Sequence, residues 1–204
     1  SWIKDIPHPD RNRSFELATG FAKNSELMVI NGSEITRRMP PGHANAIFIK
    51  DANKLMVDDP IDAFLEARKQ DAFIFWNPPY WASQSPDASV PVDQFHLDMI
   101  KNGLLEGIEI VNDTTYSNEA FQLALDHNLT ILGTSDIHDI IDWQYRIPSG
   151  GHRPVTLVFA FEKSQSSLKR ALRKGQTVVW FNKKLLGKSD FLIPLINSSL
   201  SIRS

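Results

Sequence analysis

Apolar residues along this chain gather in short blocks separated by Gly, Pro and polar turns. ELMVINGSEIT (26–36) reads as a strand that turns at Asn31-Gly32 and runs into a polar tail. ANAIFIKD (44–51) is a second strand with β-branched and aromatic content. In DPIDAFLEARKQD (59–71), Pro60 suits the first turn after Asp59 as N-cap. Ile61, Phe64, Leu65 and Ala67 fall on one face, which predicts a helix. AFIFWNPPYW (72–81) predicts a buried strand stopped by Pro78-Pro79. HLDMIKNGLL (96–105) predicts a helix ending near Gly103, GIEIVND (107–113) a strand, and SNEAFQLALDHN (117–128) a helix capped by Ser117. LTILGTSD (129–136), PVTLVFAFE (154–162), SQSSLKRALRKGQ (164–176) and TVVWFNK (177–183) continue the alternation. Strands apolar throughout, alternating with short helices, predict a mostly parallel sheet covered by helices. No linker or low-complexity segment interrupts the rhythm, so residues 1–204 read as a single α/β domain.

Polar residues collect where the strands run out: Ser33-Glu34, Trp76-Asn77, Asn112-Asp113 and Ser135-Asp136-His138. Ligands of α/β sheets and barrels bind at that end of the strands, so this rim is the expected site. Composition then narrows the chemistry. A chain of 204 residues, 42% hydrophobic and 23% charged, is long enough for a real core and reads as soluble and globular. Its formal net charge of −2 lacks the basic bias of a nonspecific nucleic-acid binder. There are no cysteines, which excludes disulfides and thiolate metal sites; any metal must be held by His, Asp, Glu, Asn or water. No apolar run approaches the roughly 20 residues of a membrane-spanning helix. No signal peptide is visible, and the compartment is open between cytoplasm and export.

In an extended chain, residues two apart point to the same side, so Asp136 and His138 can converge on one point at the mouth of a sheet. A divalent metal ion is one reading; a helix start with Ser135 or Asp136 as N-cap is the other. Glu34 and His43 flank the RRMPPG loop and make the set two carboxylates and two imidazoles. That mixture suits Zn²⁺, Mn²⁺ or Fe²⁺ better than Ca²⁺ or Mg²⁺. Arg37 offers a planar donor fork for a phosphate, or is a solvated loop residue. Asn112 and Asp113 read as a turn capping the helix that begins near Ser117. Trp76, Tyr80 and Trp81 either stack on a base or sugar ring or simply pack. His96, His127 and His152 read as structural.

INGSEITRRMPPGHANAIFI, FIFWNPPYW, GIEIVND and ILGTSDIHD closely resemble the PHP family, the polymerase and histidinol phosphatase group of metal-dependent phosphoesterases. Within it they look most like the phosphodiesterase branch, and the similarity extends into DRNRSFELA and RPVTLVFA. The resemblance implies a distorted seven-stranded (β/α) barrel binding up to three Zn, Mn or Fe ions at the C-terminal ends of its strands. By that pattern Glu34 bridges two metals, His43 binds one of them, Asp136 binds the first and His138 another. Asn77, Asn112 and His8 are candidates for supporting or substrate contacts.

Two departures from the family pattern stand out. The family opens with a His-x-His motif and a further His after its second strand. This chain has neither, since His8 in IPHPDRN sits in a proline-flanked polar loop. The chain therefore resembles the barrel from about its third unit onward, with a missing N-terminal segment or self-association expected to complete it. Fewer metals are expected on this chain than in an intact site. Pro78 also stands where relatives of this branch usually carry a metal-binding His, and proline offers no donor. The function expected is metal-dependent hydrolysis of a small phosphate ester or nucleotide-like ester, diester favoured over monoester, by a metal-activated water. The alternative is a degenerate PHP module that binds or assembles without catalysing. No membrane partner and no strong nucleic-acid partner is expected.

Overall fold

The computed structural model describes residues 9–78 and 89–199. The first part of the chain runs through α1 (Arg13–Ala22), β1 (Gly32–Ile35), β2 (His43–Ile47), α2 (Pro60–Lys69) and β3 (Phe73–Asn77). It continues through α3 (Gln94–Lys101), β4 (Gly107–Asn112), β5 (Thr115–Tyr116), α4 (Asn118–Asp126) and β6 (Thr130–Thr134). The last part holds α5 (Ile141–Gln144), β7 (Val155–Val158), α6 (Gln165–Arg173), β8 (Thr177–Phe181), β9 (Lys184–Gly187) and α7 (Ser189–Ser199).

The caps read from sequence form as expected. The Asp59 side chain accepts from Ile61 N at the start of α2, and Ser117 Oγ accepts from Ala120 N at the start of α4. The buried face of α2 differs from the expected one. Ala63, Phe64 and Ala67 face the core, whereas Ile61 and Leu65 are exposed. Two small alanines let the helix lie close on the sheet, and the bulkier Ile61 and Leu65 fall to its flanks.

The strand expected over residues 26–36 is displaced. Only its polar tail pairs, as β1, while residues 26–31 carry no regular structure. Backbone pairing with β2 decides this: Gly32 lies opposite Ile47, so closely that a Cβ would stand 3.0 Å from Ile47 Cγ2.

The sheet is mixed rather than mostly parallel. β3–β4 and β4–β6 pair in parallel through the α3 and α4 crossovers, but β1–β2, β2–β3 and β4–β5 are antiparallel. Gln70 explains the reversal at β2–β3. Its Oε1 accepts from Lys50 N and Asp51 N, and its Nε2 donates to Asp51 O. The residues just after β2 are thereby tied to those just before β3, so α2 leaves and returns at the same end of the sheet. Ile47 consequently lies opposite Phe73.

β7, β8 and β9 form a second, antiparallel sheet. It docks on β6 through side chains rather than a ladder. Thr177 Oγ1 donates to Ile131 O at 2.7 Å, and Thr156 Oγ1 lies 2.9 Å from both the N and the O of Gly133. Gly133 lets this junction close, because a Cβ there would overlap Val179 Cγ1 and displace it. Among the described residues the two sheets do not close into a barrel. None of the described helices is long and apolar enough to cross a membrane. Sequence reading did not foresee α1, α5, α7 or the short strands β5 and β9. α1, α5 and α7 bury no residue, so the periodicity that reveals a core-facing helix is weak in them.

Candidate functional site

The described polar residues at the strand ends form two pairs with a buried carboxyl between them in electrostatic reach of both. In the first pair, Glu34 on β1 and His43 at the start of β2 lie diagonally across the antiparallel ladder, with His43 Nδ1 3.0 Å from Glu34 Oε1. Thr36 Oγ1 donates to the same Oε1 at 2.7 Å. The loop that delivers His43 is anchored at the Pro41 carbonyl, which accepts from Trp76 Nε1 at 3.1 Å and contacts His96 Nε2 at 2.9 Å.

Trp76 and His96 are both buried and pack ring on ring, with centroids 4.1 Å apart. Trp76 is therefore a packing residue and is closed to a base or sugar ring. His96 has partners the sequence did not reveal, including Asp93 at the N-cap of α3, 2.7 Å from its Nδ1. Tyr80, Trp81 and His8 lie outside the described residues.

The second pair follows β6. Asp136 adopts a left-handed backbone, φ 43°, a strained conformation for a residue other than glycine. Its carbonyl accepts from His138 Nδ1 at 2.7 Å, and its Oδ1 lies 3.7 Å from the same nitrogen. A backbone carbonyl can only accept, so Nδ1 carries the hydrogen and Nε2 is the nitrogen left with a lone pair. The turn is held by Tyr145, whose buried hydroxyl contacts both Asp113 Oδ1 and Ser135 O. Burial and the Asp113 carboxylate push the tyrosine pKa up, keeping the phenol protonated. Gln144 adds a second tie, accepting from His138 N at 3.3 Å and donating to Asp113 Oδ1 at 3.3 Å.

Glu109 on β4 is the residue sequence reading missed. It is 1% exposed, with Oε1 accepting from Thr134 Oγ1 at 2.6 Å and Oε2 from Asn112 Nδ2 at 3.0 Å. Burial pushes its pKa up to about 7, the two hydrogen bonds oppose that rise, and the carboxylates of Asp136 and Glu34 add to it. The signal was a lone carboxylate between isoleucines in GIEIV, inside a strand otherwise apolar. Asn112 thus supports Glu109, and Asp113 secures Tyr145. Neither caps α4, which Ser117 does; residues 112–115 instead form the turn between β4 and β5.

Asn77 ends β3 directly opposite His43, and its buried Oδ1 has no hydrogen-bond partner among the described residues. Pro78 beside it is buried and brings no donor. Arg37 donates to Thr36 O at 2.9 Å and to Val57 O at 2.6 Å, and with Arg11 and Glu34 it lines a cleft of about 490 Å³.

These donors are of the right kind for a transition metal, and Asn77 Oδ1 is an orphaned acceptor beside one pair. A catalytic zinc site, however, takes about three protein ligands. Among the described residues no three His, Asp or Glu side chains are grouped to hold an ion. The pairs Glu34–His43 and Asp136–His138 are two partial donor sets, and by themselves they do not make a metal site.

No protein-family model and no curated protein matches this chain. A solved structure does. It is a two-domain protein from Bacteroides vulgatus, described as containing a predicted PHP-like metal-dependent phosphoesterase, at 44% identity and a TM-score of 0.90. The match covers 95% of this chain and 56% of that one, so the chain spans little more than half the length of the protein it matches. The likeness to that PHP-like protein extends over nearly the whole of this chain.

Proposed function

We propose that this chain is the greater part of a PHP-type phosphoesterase domain and contributes to hydrolysis of a phosphate ester, a small phosphodiester in preference to a monoester. The observation that carries this reading is the buried Glu109 carboxyl of β4, hydrogen-bonded by Thr134 and Asn112 and in electrostatic reach of both Asp136 at the end of β6 and Glu34 on β1. A buried carboxyl with two exposed carboxylates in its reach favours a positive counterpart, and a bound cation is one such counterpart. The likeness to a PHP-like protein agrees with it.

In this reading Glu34, His43, Asp136 and His138 supply donors to divalent Zn, Mn or Fe, and further donors come from polypeptide other than the described residues. That polypeptide is either a segment completing a seven-stranded barrel or a second copy. Divalent ions of this kind, once bound, lower the pKa of water and stabilise charge on a transferring phosphoryl group. The chain's own residues do the positioning. Asp136 O fixes the His138 tautomer and Asn112 and Thr134 hold Glu109, while Arg37, which lines the cleft beside Glu34 and donates to Thr36 O and Val57 O, is the cation this reading assigns to the phosphate.

Metal content and turnover of the full-length protein and its Asp136→Ala variant test the assignment. Loss of bound metal and of phosphodiester hydrolysis in the variant is expected; a variant with full activity overturns it. A second reading, a binding or assembly module without catalysis, is favoured by Pro78 and by the lack of a three-ligand group among the described residues. Full-length protein that carries no transition metal and hydrolyses neither esters nor diesters would select it.

A further inference from the structure

A second cleft, of about 410 Å³, opens behind the Asp136–His138 turn. Gln144 and Tyr145, which hold that turn, also form part of this cleft's wall. The other lining residues include Arg146 and Lys183, and no carboxylate lines it among the described residues. Neither cation has a side-chain hydrogen bond or ion pair among the described residues, in contrast to Arg173 and Lys169, which are held by Asp71.

The walls are aromatic. Tyr145 and Phe181 line the cleft, and His152 stacks on Trp180 with centroids 4.7 Å apart. His152 Nδ1 donates to Arg153 O at 3.1 Å and Nε2 accepts from Lys183 N at 3.4 Å, so the imidazole serves as a fixed wall. Asn182 (φ 46°) and Lys183 (φ 63°) form the two-residue turn between β8 and β9, whose left-handed backbones set Lys183 at the rim of the cleft. Arg146 also holds a left-handed backbone, φ 49°. Gly151 lets the loop close, since a Cβ there would run into Tyr145 O.

The geometry points to an anion subsite: we infer that Arg146 and Lys183 hold a second phosphate group of the ligand, with its carbon framework against Tyr145 and Phe181. The ligand class is then a small molecule carrying two phosphate groups, one at the Asp136–His138 end and one here. That part rests on the phosphoesterase reading, whereas anion binding by the cleft stands apart from it. An unpaired arginine and lysine in a concave, carboxylate-free wall favour a multivalent anion over a neutral ligand.

Calorimetric titration of inorganic pyrophosphate into the full chain in the presence of chelator tests this. Arg146→Asn and Lys183→Asn keep residues that tolerate a left-handed backbone, and thermal melting confirms that each is folded. Each is expected to bind about tenfold more weakly, while Arg146→Lys retains most of the affinity. Affinity should also fall as salt rises. Absence of binding to the wild-type chain, or equal affinity in the two asparagine variants, overturns the inference. If Asp136→Ala keeps its turnover while pyrophosphate binding still depends on Arg146 and Lys183, the subsite stands and the phosphoesterase assignment falls.

Discussion

His43 Nδ1 stands 3.0 Å from Glu34 Oε1 although the whole Pro-Pro-Gly loop lies between them in sequence. The β1–β2 register makes the meeting, since Ile35 opposite Ala44 sets Glu34 and His43 on one face of the ladder. Both side chains are partly exposed, at 41% and 28%. Solvent screening therefore limits their coupling to about 1 kcal/mol or less. His43→Ala should leave the urea midpoint nearly unchanged while weakening divalent-metal binding by the full-length protein. A large loss of stability without a change in metal affinity would make His43 structural.

Glu109 gives a pH dependence with a definite sign. Its folded-state pKa of about 7 lies above the ordinary value of 4.5, chiefly because burial disfavours the charged form. The folded protein thus holds this proton more tightly than the unfolded chain. Its stabilising contribution is complete below pH 4.5 and declines as pH rises toward about 7. Denaturant melts of chelator-treated protein should show that decline, and Glu109→Gln should remove it. An unchanged slope in the variant would assign the dependence to another group.

Asp71 carries the opposite sign. Lys169 Nζ lies 2.6 Å and Arg173 Nη1 2.8 Å from its carboxylate, and they lower its pKa from 3.8 to about 2, Lys169 contributing most. The contribution to stability is present above pH 3.8 and is lost as pH falls through about 2. The group is largely exposed, so the effect is small. Asp71→Asn should flatten the acid limb of the stability profile without altering stability differences among neutral and alkaline pH values.

Gly133→Ala should loosen the junction of the two sheets. The added methyl overlaps Val179 Cγ1, a side chain with no exposure. Overpacking of this kind costs about 1–3 kcal/mol. Hydrogen exchange should show β7 and β8 losing protection before β3 and β4; uniform loss would mean the sheets unfold as one unit.

Local signals were enough to locate most strands and the main helices. Pro60 after Asp59, Ser117 before its helix and Pro78 after an apolar run act within a few residues of themselves, so they were legible in sequence. The same holds for the polar strand ends that carry Glu34, Asn77, Asn112 and Asp136. Strand direction was not legible, because a helix between two strands leaves it undecided at which end the chain returns. The Gln70 side chain settled that by tying residues 50 and 51 to the end of α2. Nor did sequence indicate that the donors would fall into two pairs, or that Glu109 would be buried near both. Register across β1–β2 and β4–β6 decides those distances, and register is a property of pairs of strands. Residue chemistry came from the sequence alone; the groups that meet were decided by backbone hydrogen bonds between segments far apart in the chain.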